Sequence, residues 1–181
     1  ACASLALMSV VPAGARPVTA PSATVAASQA AEAPTAEALR DLVDQFRYAA
    51  DGRAPIVAGE QIALSEAVAR HYEASGFAPV WTDTARLDSL VAAIADLEYD
   101  GLRPTDYHVD TLQSFRGELR SGPLAPRRQA ELEVVATDAM ALALYHLYFG
   151  KVDPAKLSPQ WNFPPRPLDM RQIETHVAER T

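Results

Sequence analysis

The 181-residue chain has a single cysteine, Cys2, close to its N-terminus. One cysteine excludes an internal disulfide framework and a cysteine-based zinc site, although it says nothing against export. Glycines are scarce and aromatic residues make up only 7% of the chain, while alanine dominates the 49% that is hydrophobic. An Ala-rich, Gly-poor composition of this kind favours helices over sheets. The P-loop, GxGxxG, HExxH, EF-hand and GxSxG signatures are all missing. Four histidines, His71, His108, His146 and His176, lie far apart and show no metal-ligand spacing. No cofactor or metal is therefore expected. A net charge of -7 and a pI near 5.0 exclude the usual electrostatic footprint of a phosphate-backbone binder. No internal repeat is visible.

The first segment reads as targeting. "ASLALMSVVPAGA", Ala3 to Ala15, is an uncharged apolar run ending in Ala13-Gly14-Ala15. It matches the apolar core of a signal peptide followed by an A-x-A cleavage site, without the basic stretch that normally precedes it. The run is too short to span a bilayer. Residues 1–15 are thus expected to be a signal-peptide remnant, with an Ala-rich tail as the alternative. Cys2 remains open as a lipid-attachment residue. Residues 16–34, "RPVTAPSATVAASQAAEAP", have the Ala/Pro/Ser/Thr composition of a disordered linker. The folded part is expected over 35–181.

Within that part the apolar residues recur at helical spacing. A first helix is expected from about Thr35 to Ala50, with Leu39, Leu42, Val43 and Phe46 on one face and Gly52 as its stop. A second is expected over about Gln61 to Ser75, with Leu64, Val68, His71 and Tyr72 inward. Pro79 keeps the following "FAPVW" extended. Thr82 or Asp83 caps a third helix carrying Leu87, Leu90, Val91, Ile94 and Leu97, which ends at Gly101. "LRPTDYH" reads as a turn with one helical turn after Pro104. A fourth helix is expected from about Asp110 to Arg120. A fifth, the longest, should run from about Arg127 to Phe149, apolar on two faces and therefore central to the core. Asp138 and His146 interrupt it, which argues against a membrane span. A last helix begins near Asp169, and the chain is expected to be truncated inside it. The fold class is mainly α, a compact multi-helix domain around a long central helix.

Three kinds of residue are candidates for function. Asp138 sits among Val134, Ala141 and Tyr145, where an unpaired carboxylate is costly to bury. It is either a perturbed acid or base, or a buried structural carboxylate that fixes the packing of the fifth helix. Trp81, Tyr107 and Trp161 stand between helices. They either form a sugar or peptide platform or plug the ends of the core. His71 and His146, on apolar faces, read as hydrogen-bonded core histidines rather than catalysts.

The order of local signals adds to this. "HYEASGFAPVWTD" (71–83), "DGLRPTDYH" (100–108) and "TDAMALALYHLYFGKVDPAKLSPQW" (137–161) follow one another. Together they resemble the N-terminal scaffold domain of large bacterial L,D-transpeptidases, over about Leu39 to Thr181. The resemblance implies a place in peptidoglycan cross-linking and cell-wall biogenesis, export to the periplasm or cell envelope, and a catalytic domain in cis outside this chain. In that family the chemistry belongs to a cysteine in an S-H-G-C-type motif of a separate C-terminal domain. An acyl-enzyme thioester needs that thiolate, and no cysteine follows Cys2 here. No catalytic residue can be assigned to this chain. The resemblance implies that the fifth helix is a structural spine, with Gly150 in a left-handed turn, Asp153-Pro154 setting the next bend and Trp161 capping the core. Two further readings stay open. One is a stand-alone peptidoglycan-binding module using Trp81, Tyr107 and Trp161. The other is a wall hydrolase using Asp138 with a second carboxylate.

Overall fold

A computed structural model describes residues 23–47 and 53–152, and side chains in the first helix from residue 33 to 46. Five α-helices carry the fold: α1 (Ala23–Arg47), α2 (Ser65–Ala74), α3 (Thr84–Asp96), α4 (Val109–Ser121) and α5 (Pro126–Phe149). The mainly α expectation holds. Two 3-10 turns, Leu97–Asp100 and Pro104–Tyr107, join α3 to α4. Cys2, Gly52, Asp153-Pro154, Trp161, His176, the signal-like run and the helix expected from Asp169 lie outside the described residues.

The stripe read from the sequence forms the inward face of α3, where Leu87, Leu90, Val91 and Ile94 are buried. The Asp83 carboxylate caps this helix by accepting the Arg86 amide at 2.7 Å. Leu39, Leu42 and Val43 of α1 are buried in turn, and α1 packs along α5. From Gln129 to Ala139, α5 is buried on nearly every side, as expected of a central helix.

Several expectations need correction. Helix α1 starts at Ala23, well upstream of Thr35, in the stretch whose composition reads as linker. Its alanines favour helix, and Pro34 inside it deletes one backbone donor without ending it. Helix α2 starts at Ser65 because the residues before it form a hairpin of β1 (Ile56–Val57) and β2 (Glu60–Gln61). The turn takes positive φ at both Ala58 (51°) and Gly59 (86°), the combination a two-residue primed turn requires. An alanine in the first of those positions hides the hairpin from sequence reading. Gly150 ends α5 with φ 82° but an extended ψ of 153°, rather than a left-handed helical turn.

Candidate functional site

The polar chemistry of this domain gathers at two junctions on α5, roughly one helical turn apart. In the first, the fully buried Asp138 accepts hydrogen bonds from three donors. Its Oδ1 takes the Leu64 amide at 2.7 Å, and its Oδ2 takes the Ala63 amide at 3.1 Å and His108 Nε2 at 2.9 Å. The two amides belong to the turn that leads into α2, Leu64 being the N-cap position, and that helix has no side-chain cap of its own. Asp138 thus pins, from another helix, the turn that enters α2, and its carboxylate lies beside the N-terminal end of that helix.

His108 continues the chain of contacts. Its φ is 57°, which places the imidazole where the second 3-10 turn meets α4. Nδ1 lies 3.0 Å from Glu60 Oε2 in the hairpin, and Glu60 Oε1 accepts the Thr111 hydroxyl at 2.5 Å. Burial pushes the His108 imidazole down, but its bonds to Asp138 and Glu60 and their charges outweigh this, so its pKa is raised. The Thr111 bond, opposed by burial and helped by His108, holds Glu60 below the usual carboxylate range.

A pH signature follows. The unfolded chain loses its imidazole proton near pH 6.5, whereas the folded chain keeps it to higher pH. The stabilisation from His108 is complete below that pH and is lost as pH rises through the folded value, with a slope of at most about 1.4 kcal/mol per unit. His146 works in the opposite sense, because burial and then the Lys151 charge lower it. Urea unfolding at pH 6 and pH 9 should show wild type losing stability across this window. His108→Gln should lose less stability over the same interval. Equal slopes in the two proteins would show that His108 is not the titrating group.

The second junction is built on Glu133, also fully buried. Oε1 accepts the Trp81 amide at 2.9 Å and Gln129 Nε2 at 2.9 Å. Oε2 accepts the Val80 amide at 2.8 Å and the Tyr72 hydroxyl at 3.0 Å. Thr137 Oγ1 lies 2.7 Å from the Tyr72 hydroxyl and accepts the Trp81 indole N–H at 3.0 Å. Gln129 also donates to the Trp81 carbonyl at 2.8 Å. Burial raises the Glu133 pKa, against the pull of its Val80, Gln129, Trp81 and Tyr72 donors. Burial and then the Glu133 charge push Tyr72 far up, so it is a neutral donor.

The candidate residues fall into place accordingly. Asp138 is at the first junction, Trp81 at the second, and both are covered. Tyr107 is buried, with its hydroxyl 3.0 Å from His146 Nδ1. Neither Trp81 nor Tyr107 presents a face to solvent, so they form no sugar platform, and Trp161 lies outside the described residues. His71, expected inward, is exposed with its ring edge-on to Tyr72. The sequence reading missed Glu133, Gln129, Tyr72, Thr137 and His108 as partners. Gln129, Glu133 and Thr137 recur every fourth residue among buried alanines, leucines and valines, a polar stripe that the sequence displays.

No group of three or more metal-ligating side chains occurs among the described residues. Two shallow depressions of about 250 and 440 Å³ lie at Phe46–Glu73 and Glu98–Thr105, and neither touches Asp138 or Glu133. Among the described residues α5 alone is long and apolar enough to cross a membrane, but half of its most apolar stretch is buried inside the domain. These features define a helical domain whose buried ionisable groups hold its parts together. The family described as Scaffold domain matches residues 66–180, and the chain belongs to it. That membership supports a non-catalytic scaffold role. No curated protein and no solved structure matches the chain.

Proposed function

We propose that this domain is the scaffold region of an L,D-transpeptidase of peptidoglycan cross-linking. In this reading it is exported to the cell envelope and holds in place a catalytic domain that carries the cysteine nucleophile. One observation supports this above the others: the three sequence blocks that carry the resemblance meet at α5. Tyr72 and Trp81 of the first block bond to Thr137 of the third and to Glu133 just before it. His108 and Tyr107 of the second bond to Asp138 and His146 of the third. The residues shared with that family are used here to fix the relative positions of helices. They are engaged by protein donors and lie away from the two depressions.

The experiment is to delete the domain from the protein that carries it, keep the catalytic domain intact, and analyse muropeptides. A marked fall in L,D-type cross-links is the expected result. Unchanged cross-linking in a stably expressed deletion would sink the proposal. The burial of Trp81 and Tyr107 counts against the binding-module reading, and the saturation of Asp138 counts against the hydrolase.

A further inference from the structure

The end of α5 contradicts its middle. From Gln129 to Ala139 the helix is buried almost all round, yet Leu144, Tyr145, Leu147 and Phe149 are about half exposed or more, and Val152 beyond Gly150 is 57% exposed. At about 100° per residue these helical side chains sweep an outward arc of roughly 200°. His146 points the other way, to Tyr107. The Tyr145 and Phe149 rings contact one another at a tilt of 40°, with centroids 4.9 Å apart. A contiguous apolar surface of this kind marks a contact site.

We infer that this surface is covered by the segment of the same chain that follows it, residues 153–181. Three observations point to that occupant. The chain leaves α5 on the surface itself, since Val152 is still part of it, so the next residues start in contact range. The family match runs through α5 and on to residue 180, so the segment and α5 fall within one family region. Finally, the segment carries the apolar side chains such a cover needs. Leu157, Trp161 and Phe163 come first, and Met170, Ile173 and Val177 follow at the spacing of one helix face. A second copy or a separate protein would have to displace a tethered, apolar neighbour from a surface already within its reach.

The full 181-residue chain contains two tryptophans, Trp81 and Trp161, so the fluorescence difference between wild type and Trp161→Phe isolates Trp161. It should be blue-shifted and shielded from acrylamide. Leu147→Asp and Phe149→Asp change half-exposed positions and leave the buried core intact. Each should red-shift Trp161 and raise its quenching constant several-fold, with circular dichroism and elution volume unchanged. A water-exposed Trp161 in the unsubstituted chain overturns the inference, as does a Trp161 indifferent to both substitutions. So does a pair of variants that alter only the oligomeric state, which would assign the surface to a second copy.

Discussion

Asp138→Ala is expected to destabilise the domain by about 3–5 kcal/mol, the range for breaking a buried ionic contact by removing one partner. Three donors lose their acceptor at once. The Ala63 and Leu64 amides, in the turn leading into a helix of only ten residues with no side-chain cap of its own, are left without their bond. The His108 ring, 8% exposed, keeps Glu60 alone. Domains of this kind are stable by only about 5–15 kcal/mol, so the variant should melt roughly 10 °C lower or more. Amide exchange should quicken first at Ala63, Leu64 and the opening turn of α2. A loss below about 1 kcal/mol would mean the junction is not carried by Asp138. Asp138→Asn is also informative, because an enzyme using Asp138 would lose muropeptide release with it, whereas a scaffold has none to lose.

Buried charges are not a cheap way to stabilise a helical bundle, and apolar side chains of the same volume often serve as well. What the two junctions add is position. Asp138 fixes the start of α2 and, through His108, the hairpin relative to α4. Glu133 fixes the extended Val80-Trp81 segment and the end of α2 through Tyr72. A slipped packing of α5 by one residue would carry the two carboxylates away from six donors on other elements, those of Ala63, Leu64, His108, Val80, Trp81 and Tyr72. Such a penalty selects one arrangement, which is what a domain that positions another requires.

The helices were legible in the sequence because their signals are local. The α3 stripe and the Asp83 cap each act within a turn or two. Asp138 was legible as an anomaly, a carboxylate on an apolar face, but its partners were not. Ala63 and His108 lie 75 and 30 residues away, and both contacts depend on how α2 and the second 3-10 turn pack on α5. The hairpin was hidden by an alanine at positive φ, a conformation no residue-type rule assigns to alanine. Val68 and Tyr72 lie inward as read, but His71, about 100° round the helix from Tyr72, falls off that narrow face and is exposed.

Glu133 yields the sharpest discrimination. Glu133→Ala should cost about 4 kcal/mol, because it opens a cavity and strands the Val80 and Trp81 amides, each buried unsatisfied donor costing about 1–3 kcal/mol. Glu133→Gln keeps the shape but replaces one oxygen by an NH2 group. Each oxygen already receives two donors: Trp81 and Gln129 on Oε1, Val80 and Tyr72 on Oε2. Whichever way the amide is turned, its NH2 meets two N–H or O–H groups, at least one of them a backbone amide that cannot reverse. The glutamine variant should therefore lose about 2 kcal/mol or more, close to half the alanine effect. Denaturant midpoints for the three proteins decide it. A glutamine variant as stable as wild type would show that the Val80 and Trp81 amides do not depend on the two oxygens of Glu133, and would overturn the junction as described.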